Sequence, residues 1–224
     1  MKTYPLHPWN LTPSEAIQCQ KSLASQIIDD QPIRLNQVKT VAGVDVSVKQ
    51  NTSQAAVIIL SFPDLQVIEV QTAIMPTQYP YIPGLLTFRE APVLLRAFEK
   101  VQQEPDVLIF DGMGKIHPRG IGIASHMGLF LDKPTIGCGK THFVGEYAQP
   151  LNERGAFEWI HYKNDIIGAI VRTRVNVKPV YISVGHRTDL ATAIELIMAT
   201  TPKYRLPEPI RQAHNTAGQM DLSE

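Results

Sequence analysis

Cysteine is scarce in this chain of 224 residues: Cys19 and Cys138 lie far apart and match neither a metal-binding nor a redox spacing. A disulfide framework is therefore not expected, and a reducing cytoplasm is the expected setting. Long apolar runs are missing too. No stretch is long enough to cross a bilayer, and the opening Met1-Lys-Thr-Tyr-Pro-Leu-His-Pro-Trp9 lacks a signal-peptide core, so a soluble protein is expected. There is no excess of either charge, since 21 Lys and Arg balance 21 Asp and Glu. That balance argues against a protein that coats nucleic acid non-specifically, because such binding rests on many contacts between cationic side chains and phosphates. It leaves room for a site-specific enzyme that needs only a local basic rim. Internal repeats and low-complexity segments are also lacking.

What is present is ample core material, with 44% apolar residues, enough for one α/β domain spanning 1–224. Within it, 1–35 is expected to form a peripheral N-terminal helical segment and 203–224 a C-terminal tail. The run from Ser14 to Asp30 has helical periodicity, with Ser14 as its cap. Three strand-like runs follow, 41–48, 54–62 and 66–75, the last two separated by the turn pair Pro63-Asp64. A helix is predicted from about Thr87 to Gln103, then a strand over 106–111, a helix near 120–131 and a strand over 134–138. Further strands at 157–162, 166–175 and 179–184 and a helix over 189–200 complete the pattern. A three-strand meander followed by alternating strands and helices predicts a mixed sheet flanked by helices on both faces.

Three acidic residues stand out in that frame. Asp45 lies inside Val41-Ala-Gly-Val-Asp-Val-Ser-Val48, where a carboxylate among valines is costly to desolvate unless a cation or hydrogen bonds offset its charge. The period of two puts Gly43, Asp45 and Ser47 on one sheet face. Asp111 ends Val107-Leu-Ile-Phe-Asp111 at the carboxyl end of a strand, where open α/β sheets bind ligands, and Asp-Gly is equally a common turn pair. The two converge only if their strands are neighbours. Glu90 has two readings. Thr87-Phe-Arg-Glu90 fits a capping box, yet Glu90 precedes Leu94 by four and so shares the core-facing stripe. All-oxygen ligation by such residues would suit Mg²⁺ or Mn²⁺, and no Cys/His cluster offers zinc its preferred ligands.

Two nucleotide-binding motifs fail. Gly139-Lys140-Thr141 lacks the P-loop's earlier glycine, with Pro134 in its place, and Gly112-Met-Gly114 has His117 where a dinucleotide fingerprint needs a third glycine. The glycines at 84, 112, 114, 120, 122, 137 and 139 are each compatible with a turn or cap, and together permit close backbone approach to a flat ligand such as a purine. Tyr81, between Pro80 and Pro83, is either a packed loop residue or the rigid tip of a wedge that unstacks a duplex.

Six segments, in order and with matching spacing, resemble the endonuclease V family. They are Val41-Ala-Gly-Val-Asp-Val-Ser47, Pro80-Tyr-Ile-Pro-Gly-Leu-Leu-Thr-Phe-Arg-Glu90, Asp111-Gly-Met-Gly-Lys-Ile-His-Pro-Arg-Gly-Ile-Gly-Ile-Ala-Ser125, Gly137-Cys-Gly-Lys140, Ser183-Val-Gly-His-Arg187 and Arg205-Leu-Pro-Glu-Pro-Ile-Arg-Gln-Ala-His214. The resemblance implies a ribonuclease H-like sheet, three antiparallel strands followed by parallel ones. It also implies a Mg²⁺-dependent DNA repair endonuclease, with Mn²⁺ able to substitute, acting as a monomer on DNA containing deoxyinosine. The expected cut is at the second phosphodiester bond 3′ of the lesion, leaving 3′-hydroxyl and 5′-phosphate ends.

Carried over by position, Asp45, Asp111 and Glu90 would hold the metal, and Lys140 and His214 would complete the catalytic centre. Without the resemblance, the last two read as a surface lysine and a tail histidine. Pro80, Tyr81, Ile82 and Pro83 would separate the strands. Gly84, Leu86, His117, Gly122, Gly139 and Ser183 would surround the flipped base. Met113 and Gly139 depart from the family pattern, in which a polar residue and alanine are common at those positions. Two alternatives stand beside this reading: an endoribonuclease specific for inosine in RNA, and a non-cleaving nucleic-acid-binding module of the same fold.

Overall fold

The computed structural model describes residues 1–219. Its frame is an eight-stranded mixed sheet in the order β3-β2-β1-β4-β5-β8-β7-β6. The expected meander is there: β1 (Thr40–Lys49), β2 (Thr52–Ser61) and β3 (Val67–Pro76) pair antiparallel. Next to β1 runs β4 (Val107–Phe110), parallel to it, and next to β4 runs β5 (Thr135–Gly139), also parallel. Beyond β5 the direction alternates through β8 (Val180–His186), β7 (Asp165–Val171) and β6 (Phe157–Tyr162). The parallel strands are almost wholly apolar because helices cover both their faces.

Two apolar layers result. On one face Ala42, Val44, Leu108 and Phe110 pack against α2 (Leu86–Phe98) and α3 (Ile123–Leu131). On the other face Val41, Ile109 and Ile136 pack against α4 (Leu190–Ala199) and α5 (Glu208–Gly218). The expected C-terminal tail is thus largely a helix over its described part, and residues 220–224 of that expectation lie outside the described residues. The helix lies unusually close to the sheet at Gly43, where an added Cβ would fall 1.9 Å from the Pro209 carbonyl oxygen. No residue with a side chain fits there.

Helix ends shift from the sequence pattern for identifiable reasons. The first helix, α1 (Pro13–Ala24), is capped by Thr12 rather than Ser14: the Thr12 and Glu15 side chains bond each other's backbone N–H groups, and Pro13 opens the first turn. It stops at Ala24, short of Asp30, so Ile27 and Ile28 follow it as irregular chain. The capping box expected at Thr87 and Glu90 is absent. Helix α2 begins at Leu86 after a Leu85 N-cap with no side-chain bond, which puts Thr87 inside the first turn and Glu90 in the second. That leaves the core-facing reading of Glu90.

Gly43→Ala should push α5 off the sheet. Overpacking of about 1–3 kcal/mol in a domain of this size lowers the melting temperature by roughly 2–12 °C. Calorimetry of the two proteins checks this, and an unchanged melting temperature would mean that α5 does not depend on so close an approach.

Candidate active site

The condition for convergence of Asp45 and Asp111 is met, because β1 and β4 are adjacent and parallel, with Val44 opposite Phe110. The Asp111 N–H donates to the Val44 carbonyl at 2.9 Å, so the chain leaves β4 directly beside Asp45. Counting by two from Val41 and from Val107, both carboxylates point to the face that α5 covers. There α5 supplies His214, whose Nδ1 lies 2.7 Å from Asp45 Oδ2 and 3.9 Å from Asp111 Oδ2. Ligand atoms of these three residues all fall within 4.8 Å of one another. Asp45 Oδ1 also accepts from the Val46 N–H at 2.8 Å, which fixes the carboxylate's orientation.

From the end of β5, Lys140 forms an ion pair with Asp111, and its Nζ lies 3.4 Å from His214 Nδ1. The loop carrying Lys140 is held by Arg205, whose guanidinium donates to the carbonyls of Lys140 (2.8 Å), Pro179 (2.8 Å) and Lys178 (2.7 Å). Glu90 comes from α2, on the opposite face of the sheet; it is near enough for the charges of Asp45 and Asp111 to act on it, but it is not one of the three residues whose ligand atoms cluster.

The electrostatics bear on what this centre can hold. Burial raises the Asp45 pKa, the charge of Asp111 raises it further, and the His214 hydrogen bond and Lys140 work against both. Glu90 is pushed up to about 8, first by burial, then by Asp45 and Asp111, with Arg89 acting in the other direction. In this partly buried site the neighbouring carboxylates thus disfavour ionisation of Asp45 and of Glu90. An oxygen-rich cluster with surplus negative charge fits a hard divalent cation, with Asp45 and Asp111 as principal ligands and His214 or Glu90 completing the set.

Beside the carboxylates opens a pocket of about 410 Å³, with Asp111 and Lys140 on its rim. Its lining includes Tyr81, Ile82, Gly84, Leu86, His117, Gly122 and Gly139, with His117 bonded directly to the Gly84 carbonyl. Tyr81 is 68% exposed at the tip of its loop. Pro80 and Pro83 flank that tip without lining the pocket. Ser183 does not line it either. It is fully buried in β8, where its Oγ accepts from the Gly114 N–H at 2.8 Å and supports the loop after β4 from behind. The cluster of glycines serves backbone-on-backbone packing as much as ligand approach: a Cβ on Gly114 would sit 2.0 Å from the Val184 oxygen. At Gly139 the space of a Cβ is already taken by Met113, whose Cε would lie 2.3 Å from it.

Sequence reasoning missed Gln20, Arg119, Arg205 and Phe143. Gln20 had a signal, a polar residue on the apolar stripe of α1, three positions before Leu23 and four after Ala16; it is 1% exposed. It donates to the Gly84 carbonyl and accepts from Arg119. Phe143 closes the pocket beyond Lys140, with its ring 5.6 Å from that of His117.

A family model described as endonuclease V matches residues 21–215. An endonuclease V from Methanothrix thermoacetophila is 47% identical over 96% of this chain and 94% of its own length. Among solved structures, the Bacillus subtilis endonuclease V superposes with a TM-score of 0.93 at 32% identity, covering 97% of this chain and 96% of that one. The Ciona intestinalis endonuclease V, solved with a 24mer DNA containing an inosine followed by a ribo-adenosine, has a TM-score of 0.81 at 26% identity, covering 92% and 96%. Family model, full-length relative and fold agree over nearly the whole chain: the chain, with its carboxylates in the middle of β1 and just past the end of β4, belongs to the endonuclease V family and is an endonuclease.

Proposed function

We propose that this endonuclease acts on DNA containing deoxyinosine. In this reading it cuts the second phosphodiester bond 3′ of the lesion and leaves 3′-hydroxyl and 5′-phosphate ends, with Mg²⁺, or Mn²⁺ in its place, held by Asp45, Asp111 and Glu90. The observation that carries this is the adjacency of a base-sized pocket to the crowded carboxylates. It puts base recognition and phosphodiester chemistry within a short length of one strand. The Ciona relative, solved with inosine-containing DNA, supports the substrate.

A divalent ion, when bound, lowers the pKa of a water it coordinates and offsets charge developing on the phosphate. Lys140, on the pocket rim, meets the non-bridging oxygens of the scissile phosphate, and His214 holds the Asp45 carboxylate in orientation. Recognition follows from the difference between the bases. Deamination replaces adenine's 6-amino donor with a carbonyl acceptor and places a proton on N1, so peptide groups of the pocket wall that pair with hypoxanthine are left unpaired by adenine. Gly84, Gly122 and Gly139 keep side chains out of the space the base would take, and Leu86 and the His117 ring cover the base's faces. Tyr81, presented by Pro80, Ile82 and Pro83, fills the gap in the stack. The protein works as a single-domain monomer in the cytoplasm. Its two cysteines are free, and no helix among the described residues is long and apolar enough to cross a membrane.

End-labelled DNA and RNA oligonucleotides carrying one inosine, each with and without Mg²⁺, test the reading. Metal-dependent cleavage of the DNA two bonds 3′ of inosine is expected. Preferential cleavage of the RNA would make the protein an inosine-specific endoribonuclease instead. In the same assay Asp45→Ala and Asp111→Ala should lose cleavage while remaining folded and still binding inosine-containing DNA. Glu90→Gln should lower turnover steeply with little change in melting temperature, and near-normal turnover across a range of Mg²⁺ concentrations would remove Glu90 from the metal set.

Tyr81→Ala should weaken binding to inosine in duplex DNA more than in single-stranded DNA, since only the duplex must be unstacked. Paired titrations check this, and equal losses on both substrates would reduce Tyr81 to a loop-packing residue.

A further inference from the structure

The loop that carries Tyr81 is an arch with two pinned feet. At one foot Arg89 Nη1 donates to the Tyr79 carbonyl at 2.9 Å. At the other, the Gly84 carbonyl accepts from three side chains: Gln20 Nε2 at 3.0 Å, His117 Nε2 at 3.0 Å and Arg119 Nη2 at 2.7 Å. A carbonyl oxygen has two lone pairs, so three convergent donors, one of them a guanidinium, commit it fully. Gly84 also has a φ of +81°, and a Cβ there would stand 2.6 Å from Arg119 Nη2, so the bracket closes only on glycine.

The donors are locked to one another. Gln20 Oε1 accepts from Arg119 Nε at 2.7 Å, which fixes the amide so that its nitrogen faces Gly84. His117 Nδ1 accepts from the Arg119 backbone N–H at 3.2 Å, so the proton is on Nε2. Burial, with a smaller push from Arg119, depresses its pKa to about 4, which keeps the ring neutral and in that tautomer. Both ring nitrogens are thus used within the protein, and His117 offers the pocket a ring face rather than a hydrogen bond. Around the bracket, α1 joins the foot of the arch to the segment that carries His117 and Arg119: Ala16 packs with Leu85 and Phe88, and Leu23 with Ile121 and Leu129.

We infer that Gln20 and Arg119 are positioning residues for strand opening, fixing the Tyr81 arch relative to the base pocket and making α1 part of the DNA-handling apparatus. The inference rests on the proposed action on inosine in duplex DNA. Unstacking costs a few kcal/mol, and a tip on a yielding loop relaxes back instead of holding the gap. The bracket supplies the rigidity that two prolines alone do not, because prolines stiffen the loop without anchoring it to the body of the protein.

Two measurements test it. In the DNA-free protein, hydrogen exchange of the segment 79–86 should speed up at least about tenfold in Gln20→Leu, which removes both hydrogen bonds of the Gln20 amide, with β1 and β4 unchanged. In steady-state kinetics, Gln20→Leu should lower kcat/KM about tenfold on duplex inosine DNA and less than about threefold on single strands. In a Tyr81→Ala background it should add no further loss on the duplex, since the arch then has no tip to position. Unchanged exchange in 79–86 overturns the bracket whatever the substrate. Normal duplex kinetics, equal losses on both substrates or an additive double variant overturn the role in strand opening. Should Gln20→Leu fail to fold, Arg119→Lys, which keeps the charge and loses the fork, is held to the same pattern. A wild-type protein that cuts neither inosine substrate would count against the proposed function, and the exchange experiment would still decide the bracket.

Discussion

Mutual repulsion between carboxylates organises this molecule. Asp45 and Asp111 stand side by side because β1 and β4 run parallel and adjacent, and Glu90 joins them from the opposite layer. Such crowding is unfavourable in the absence of compensating charge. Lys140 and His214 answer it in part, each on an element brought in from elsewhere: Lys140 from the end of β5, and His214 from a helix that lies on β1 only because residue 43 has no side chain. The fold thus tolerates a local concentration of negative charge that the balanced composition of the chain does not reveal.

Around that centre, much of the precision comes from side chains that bind backbone carbonyls. Arg205 gathers three carbonyls beneath the Lys140 loop, while Gln20, His117 and Arg119 converge on the carbonyl of Gly84. Both devices place a loop whose own residues make few fixed contacts, and both join segments distant in sequence. A peptide carbonyl is present at every residue, so such an acceptor leaves no mark in the sequence. This is why Arg119 and Arg205 could not be singled out from the chain alone. Gln20 was legible in principle, since a buried stripe rarely carries an amide without a partner.

The elements that were legible are those governed by short periods. Alternation by two put Asp45 on its face of β1, the end of an apolar run put Asp111 at the close of β4, and apolar blocks located every strand within a few residues. Helix starts were less secure. Thr87 and Glu90 have the spacing of a capping box, but Leu86 is already helical, and a shift of one residue removes the box and turns Glu90 toward the carboxylates. The same kind of competition moved the first cap from Ser14 to Thr12, where Pro13 favours the turn. The placement of His214 beside Asp45 depends on α5 crossing the sheet. No local pattern encodes that crossing, and only likeness to a family suggested it.

The contact between Met113 and Gly139 bears on how this pocket can change over generations. The two positions are here two halves of one packing arrangement, since the thioether fills the volume an alanine methyl at 139 would need. The order of substitution therefore matters. Starting from this chain, alanine at 139 meets an obstacle until residue 113 has shortened or turned away, whereas shortening residue 113 first leaves only a gap beside a glycine. A change at either site is therefore interpretable only against the residue, and the rotamer, at the other.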